Sequence, residues 1–167
     1  ENGHADLAYK LATQEDFPSW GAWIKSGATT LFEDWKVDES RKGAMSRNHI
    51  MFGEISAWFY KALGGIKPDP QNPGFKNILL EPHFVEGLES FSAKHNGPFG
   101  MIISSWVKNN GVVAYQVTVP PNSTALLRIN AKNLLRTDGV DFLEQKEGIF
   151  KAKLQSGDYY FKIKQKQ

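Results

Sequence analysis

Between Gly64 and Phe75 the chain reads GGIKPDPQNPGF, three prolines and three glycines in twelve residues. Such a stretch opposes regular structure, because proline fixes φ and removes a backbone donor while glycine leaves the chain without a preferred conformation. It also divides two periodicities. Before it, apolar residues recur at steps of three and four. After it, they recur at steps of two. The expected fold class is therefore α + β in two segments, helices first and an antiparallel β-sandwich second. The expected boundaries are 1–66 for the helical part, 67–74 for a linker and 75–167 for the sandwich. With 167 residues, a compact chain buries roughly 70% of its unfolded surface, enough for a sizeable core.

In the first segment, Ala5, Ala8, Leu11 and Ala12 mark a short amphipathic helix. Asp16–Phe17–Pro18 restarts the chain, with Pro18 suited to the first turn of a second helix that presents Trp20, Trp23 and Ile24 and stops at Gly27. Two short helices in a hairpin cannot cover their own tryptophans, so they need neighbours. A third helix is expected from a Ser46 cap to about Leu63, with Phe52, Ile55, Phe59 and Leu63 as its apolar stripe and Gly64–Gly65 as its stop. In the second segment, strands are expected at Phe91–Ala93, Met101–Val107, Val113–Val119, Ala125–Ile129, Ile149–Leu154 and Tyr159–Ile163. Asn109–Asn110–Gly111 reads as a hairpin turn, since Asn and Gly tolerate positive φ. Their spacing of about ten residues is that of a sandwich. Trp106 and Tyr115 are expected to face its interior.

Composition removes several functions. No cysteine is present, which excludes disulfides, thiolate catalysis and zinc–thiolate sites. The histidines, His4, His49, His83 and His95, lack ligand spacing such as HExxH. A net charge of +2 from 20 basic and 18 acidic residues leaves no electrostatic footprint for nucleic acid. Lys162, Lys164 and Lys166 alternate with Ile163 as a solvated strand face would. No run approaches the ~20 apolar residues of a membrane span, and no signal peptide is evident. P-loop, GxSxG and GxGxxG patterns are absent, so nothing supports nucleotide or serine-hydrolase chemistry and no cofactor is expected. Asn122–Ser123–Thr124 fits a glycosylation acceptor but, after two prolines, reads more simply as a turn. The chain begins Glu1–Asn2–Gly3 without methionine, which leads to the expectation of a missing N-terminal part.

Chemistry concentrates in Gly27–Gly53, GATTLFEDWKVDESRKGAMSRNHIMFG. Glycoside hydrolysis needs two carboxylates about the scissile bond, and Glu33, Asp34, Asp38 and Glu39 are the candidates; spacing alone does not separate them. Glu33 stands between Phe32 and Trp35, which could wall off water. His49 is either a satisfied capping or core group or a hydrogen-bond donor to a substrate hydroxyl, and Asn48 is suited to the helix start. Trp20, Trp23, Trp35 and Trp58 serve either as core or as a stacking platform for sugars.

The segments FPSWGAWIKSGATTLFEDW, SRNHIMFGEISAWFYKALGGIKPDPQNPGFKNILLEP and GPFGMIISSWVKNNGVVAYQVTVPPNSTA, in this order and spacing, resemble the C-terminal end of bacterial α-L-rhamnosidases. These are inverting glycoside hydrolases with an (α/α)6-barrel catalytic domain followed by a β-sandwich. The resemblance implies that residues 1–66 are the last helices of that barrel and that terminal α-L-rhamnose on glycans or glycosides is the substrate. The glutamate of GATT-x-aromatic-Glu, here Glu33, resembles the general base. The histidine of Asn–His–x–x–x–Gly, here His49, resembles a substrate-binding residue. Two departures stand out: Phe32 replaces a common tryptophan, and the link from Trp35 to Asn48 is short, which alters the outer rim of a pocket and with it aglycone preference. The general acid belongs to an upstream part of the barrel, so the chain is expected to be inactive alone and to pair with the remaining N-terminal part of the same enzyme. A periplasmic or secreted location suits a bacterial glycan degrader, although no residue here fixes the compartment. The alternatives are a non-catalytic β-sandwich carbohydrate-binding or structural module, and a fragment of another (α/α)6-barrel glycosidase or polysaccharide lyase.

Overall fold

A computed structural model of the chain describes residues 3–36, 46–137, 140, 142–146 and 148–165. These fall into two compact units, 1–58 and 59–167.

The first unit is helical. α1 spans Ala5–Thr13 and α2 spans Trp20–Lys25. The Ser19 hydroxyl accepts the Ala22 N–H at 2.9 Å and so caps α2, which places Pro18 before the cap instead of in the first helical turn. A serine side chain can satisfy an orphan N–H and proline cannot, so the helix begins after Ser19. Gly27, at φ 85°, follows the end of α2. Trp23 is buried and Trp20 half-buried as expected, while Ile24 is exposed.

The expected third helix is not continuous. It breaks into a 3-10 turn at Ile50–Phe52, α3 at Glu54–Trp58 and, in the second unit, a π-helical turn at Phe59–Leu63. Its cap is neither Ser46 nor Asn48: Nδ1 of His49 accepts the Met51 N–H at 3.1 Å. Ser46 instead accepts the Asn48 N–H on its hydroxyl at 3.2 Å. The wider turn ends at Gly64, whose N–H donates to Phe59 O at 3.1 Å.

The second unit is a β-sandwich. One sheet has the order β1(Ile66–Pro68)-β2(Asn77–Leu80)-β6(Thr124–Asn130)-β9(Ile149–Leu154)-β8(Phe142–Lys146). The other has the order β3(Ser90–Gly97)-β4(Gly100–Asn109)-β5(Val112–Val119)-β10(Gly157–Lys164)-β7(Asn133–Thr137). All named pairings are antiparallel except β2 with β6, whose chain passes through the opposite sheet between them. Asn110 and Gly111, at φ 48° and 74°, make the tight turn between β4 and β5.

The inner faces meet in one core. Ile78, Leu80, Leu127, Ile129 and Leu154 come from the first sheet and Ile102, Trp106, Tyr115, Val117 and Phe161 from the second. Burial on this scale, at roughly 25 cal/mol per Å² of apolar surface, is what holds the unit together. Trp106 and Tyr115 face inward, as expected, each 1% exposed. Their polar atoms are satisfied: Trp106 Nε1–H donates to Leu63 O at 2.9 Å, and Ser104 Oγ lies 3.0 Å from the Tyr115 hydroxyl while donating to Gly64 O. Burial pushes the Tyr115 phenol well above its ordinary pKa.

The segment expected to lack regular structure contains β1, whose Ile66, Lys67 and Pro68 pair with Leu80, Leu79 and Ile78. Because β1 is an edge strand, the N–H that Pro68 lacks is not required by a second neighbour. Lys162 and Lys164 lie outward and Ile163 inward on β10; Lys166 lies outside the described residues.

Candidate active site

The two arms of the Gly27–Gly53 stretch are joined by an antiparallel set of hydrogen bonds. His49 N–H donates to Leu31 O at 2.8 Å, Glu33 N–H donates to Ser46 O at 2.9 Å, and the Thr30 hydroxyl donates to Arg47 O. Glu33 thus stands on one arm and His49 on the other, held by neighbouring rungs.

Beneath the arms lies an aromatic cluster. Trp23 is 3% exposed and Phe32 7%. The Trp23 ring is 5.5 Å from Phe32, 4.6 Å from Trp35 and 5.4 Å from Phe52, centroid to centroid, and Trp35 lies 4.2 Å from Phe52. These are separations at which tilted and edge-on rings attract beyond simple burial. The indoles also tie the arms down through hydrogen bonds: Trp23 Nε1–H to Trp35 O at 3.0 Å and Trp20 Nε1–H to Phe52 O at 3.3 Å. Three of the four tryptophans weighed as a sugar platform are therefore occupied in packing the arms. The fourth, Trp58, lines an open apolar groove of about 380 Å³ together with Trp20, Ala8, Leu11, Met51 and Ile55, and neither Glu33 nor His49 borders it. The Arg47 guanidinium sits 5.9 Å above the Phe32 ring, within cation–π range.

Of the acids, Glu33 is half-buried and Asp34 exposed; Asp38 and Glu39 lie outside the described residues. One carboxylate oxygen of Glu33, Oε2, accepts the Ser46 N–H at 2.9 Å. Ser46 was legible only as a helix cap, because a main-chain donor leaves no residue signature. His49 is half-buried. With its Nδ1 accepting from Met51, the neutral imidazole carries its proton on Nε2, where it can donate to a ligand. Among the described residues no group of three or more His, Asp or Glu side chains could hold a metal ion, and no helix is long and apolar enough to cross a membrane.

Short helices followed by a β-sandwich are an arrangement found in glycosidases. Residues 1–63 match the family described as bacterial alpha-L-rhamnosidase 6 hairpin glycosidase domain, and residues 65–141 match the bacterial alpha-L-rhamnosidase C-terminal domain. The chain belongs to the bacterial α-L-rhamnosidase family. It is 35% identical to an alpha-L-rhamnosidase of Formosa agariphila over 98% of its own length and 19% of that protein's. The structure of an alpha-L-rhamnosidase from Dictyoglumus thermophilum superimposes with a TM-score of 0.84 at 32% identity, over 98% of this chain and 19% of that one. One from Streptomyces avermitilis, complexed with L-rhamnose, gives 0.87 at 28% identity, over 97% of this chain and 16% of that one. The chain thus spans about a fifth or less of the relatives it matches.

Proposed function

We propose that this chain supplies the base side of an inverting α-L-rhamnosidase site, with the C-terminal sandwich attached to it. Glu33 takes a proton from the water that attacks the anomeric carbon of a terminal α-L-rhamnose, and His49 donates from Nε2 to a sugar hydroxyl. The leaving-group oxygen is protonated by a general acid on a part of the barrel outside residues 1–66. The observation that carries this reading is the pair of hydrogen-bonded arms, which holds a half-buried glutamate and a histidine with a free donor face on neighbouring rungs. Inversion demands two carboxylates about 6.5–9.5 Å apart, with water between one of them and the sugar, and only one such group is assigned here.

The test is Glu33→Gln in the enzyme carrying the complete barrel. Loss of a general base removes roughly 10²- to 10⁴-fold in kcat, and the fold should be unchanged because glutamine still accepts the Ser46 N–H. Asp34→Asn should stay near the parent rate. A Glu33→Gln enzyme near the parent rate, with Asp34→Asn dead, would sink the assignment.

A second reading, in which the sandwich itself binds carbohydrate, is favoured by one observation. The outer face of β4, β5 and β10 bears a hollow of about 460 Å³ that includes Ser105, Ala114, Gln116 and Tyr160. Gln116 Nε2–H donates to the Tyr160 hydroxyl at 3.3 Å, which holds an exposed ring at the rim of a floor of small residues.

A further inference from the structure

Ser46 meets Glu33 twice. Its carbonyl accepts the Glu33 N–H at 2.9 Å, and its own N–H donates to Glu33 Oε2, again at 2.9 Å. One residue therefore fixes both the main chain and the side chain of the glutamate. We propose that the Ser46 peptide N–H is a positioning group for the base, holding Oε2 so that the attacking water's proton goes to Oε1. The inference rests on the reading of Glu33 as the base.

The chemistry follows from the two oxygens being made inequivalent. A hydrogen bond from a peptide N–H to a carboxylate is a charge-assisted one, shorter and stronger than a neutral pair. A proton arriving on Oε2 would turn it into a hydroxyl oxygen, a poorer acceptor for that N–H, whereas a proton arriving on Oε1 leaves Oε2 a carbonyl oxygen that keeps the bond. The clamp also stops the carboxylate from rotating, so Oε1 has one direction in which to accept. In the step itself, water's oxygen forms the bond to the anomeric carbon, its proton passes to Oε1, and the glycosidic oxygen leaves with a proton from the general acid. The donor is part of a backbone already tied to Leu31 and Thr30 by the next rungs. It is thus set before substrate arrives, which is the condition for such a group to act without reorganisation. Any side chain at position 46 other than proline keeps the donor, so the clamp is invisible to a scan of side chains.

The experiment is to replace the Ser46 amide by an ester in the complete enzyme, using the α-hydroxy analogue of serine, and to follow hydrolysis of 4-nitrophenyl α-L-rhamnopyranoside. An ester deletes the N–H and keeps the side chain and the course of the main chain, at the cost of a weaker acceptor in the preceding carbonyl. The expected result is a fall of about 100-fold in kcat, the scale of an ångström-sized misplacement of a catalytic group, with KM within about twofold, since ground-state binding is untouched. Parent kcat, or a rise in KM with kcat unchanged, overturns the proposal. Glu33→Gln measured alongside separates the two claims: if it keeps the parent rate, the base reading itself falls. If it abolishes turnover while the ester does not, only the clamp falls. A second measurement needs no turnover. In the 167-residue chain, the amide proton resonance of Ser46 should shift between the parent and Glu33→Gln, because a charged acceptor is exchanged for a neutral one; a resonance unchanged by that substitution also overturns the clamp.

Discussion

Gly65 carries two constraints at once. Its φ is +69°, a region that side-chain-bearing residues rarely adopt, and an added Cβ would lie 2.3 Å from Glu81 C and Pro82 N. Glu81 N–H meanwhile donates to Gly65 O at 3.0 Å, so the backbone there cannot retreat without losing a bond. Gly65→Ala is expected to lower the stability of the sandwich unit by about 1–3 kcal/mol or more, the strain of a forced backbone plus displacement of the chain after β2. Urea unfolding followed through the buried Trp106 would read it, and an unchanged midpoint would contradict the argument. In the sequence Gly65 was legible only as half of a helix stop, since the approach of residues 81–82 is a long-range fact. His49 was legible as a residue of interest, but its capping role depends on a rotamer, and Ser46 acts through an atom every residue but proline possesses.

At the scale of elements, legibility followed the strength of the repeat. Val113, Tyr115, Val117 and Val119 alternate without interruption and emerge as buried positions of β5, and Ile149–Leu154 is a strand with the expected bounds. β2, four residues of NILL, has no alternation to read, because three of its residues are apolar in succession. β1 is hidden inside a proline-rich run, and β7 and β8 carry charged and polar residues that blur the pattern. The third helix looks continuous in the sequence because its apolar stripe is right, and the π-helical turn that ends it shifts hydrogen bonding by one residue without changing composition. The outer face of β4, β5 and β10 yields a prediction of its own. If it binds glycans, titrating the chain with rhamnan oligosaccharides should give saturable binding that Tyr160→Ala weakens about tenfold, the scale of one lost ring contact. Binding indifferent to that substitution, or none at all, removes the second reading.

For the whole molecule, the α + β order was legible because a helical period gives way to a strand period once and does not return. The candidate site is legible as a region, and the resemblance singles out Glu33 and His49 within it; the bonds that hold these two residues are not legible, since they join residues 31–33 to residues 46–49 through main-chain atoms. The helical unit leaves Leu7, Leu11, Ile24, Ile50 and Met51 each more than half exposed, an unusual amount of apolar surface for helices this short. On the proposed reading those faces await the other hairpins of the barrel. The 167-residue chain alone should therefore bind an apolar dye such as anilinonaphthalene sulfonate and show no hydrolysis of 4-nitrophenyl α-L-rhamnopyranoside. Measurable turnover by the chain alone would defeat the division of acid and base between its residues and the rest of the barrel.

The rungs between the two arms also bear on how freely the connection between them can vary. Glu33 and His49 stand where main-chain hydrogen bonds join residues 31–33 to residues 46–49. Doubling the length of a closed loop adds only about 0.6 kcal/mol of closure entropy, so changing the number of residues between the two arms costs little while the rungs keep the glutamate and the histidine in place. On the proposed reading, such a tie lets the connection between the arms vary in length while the base and the histidine stay where the reaction needs them.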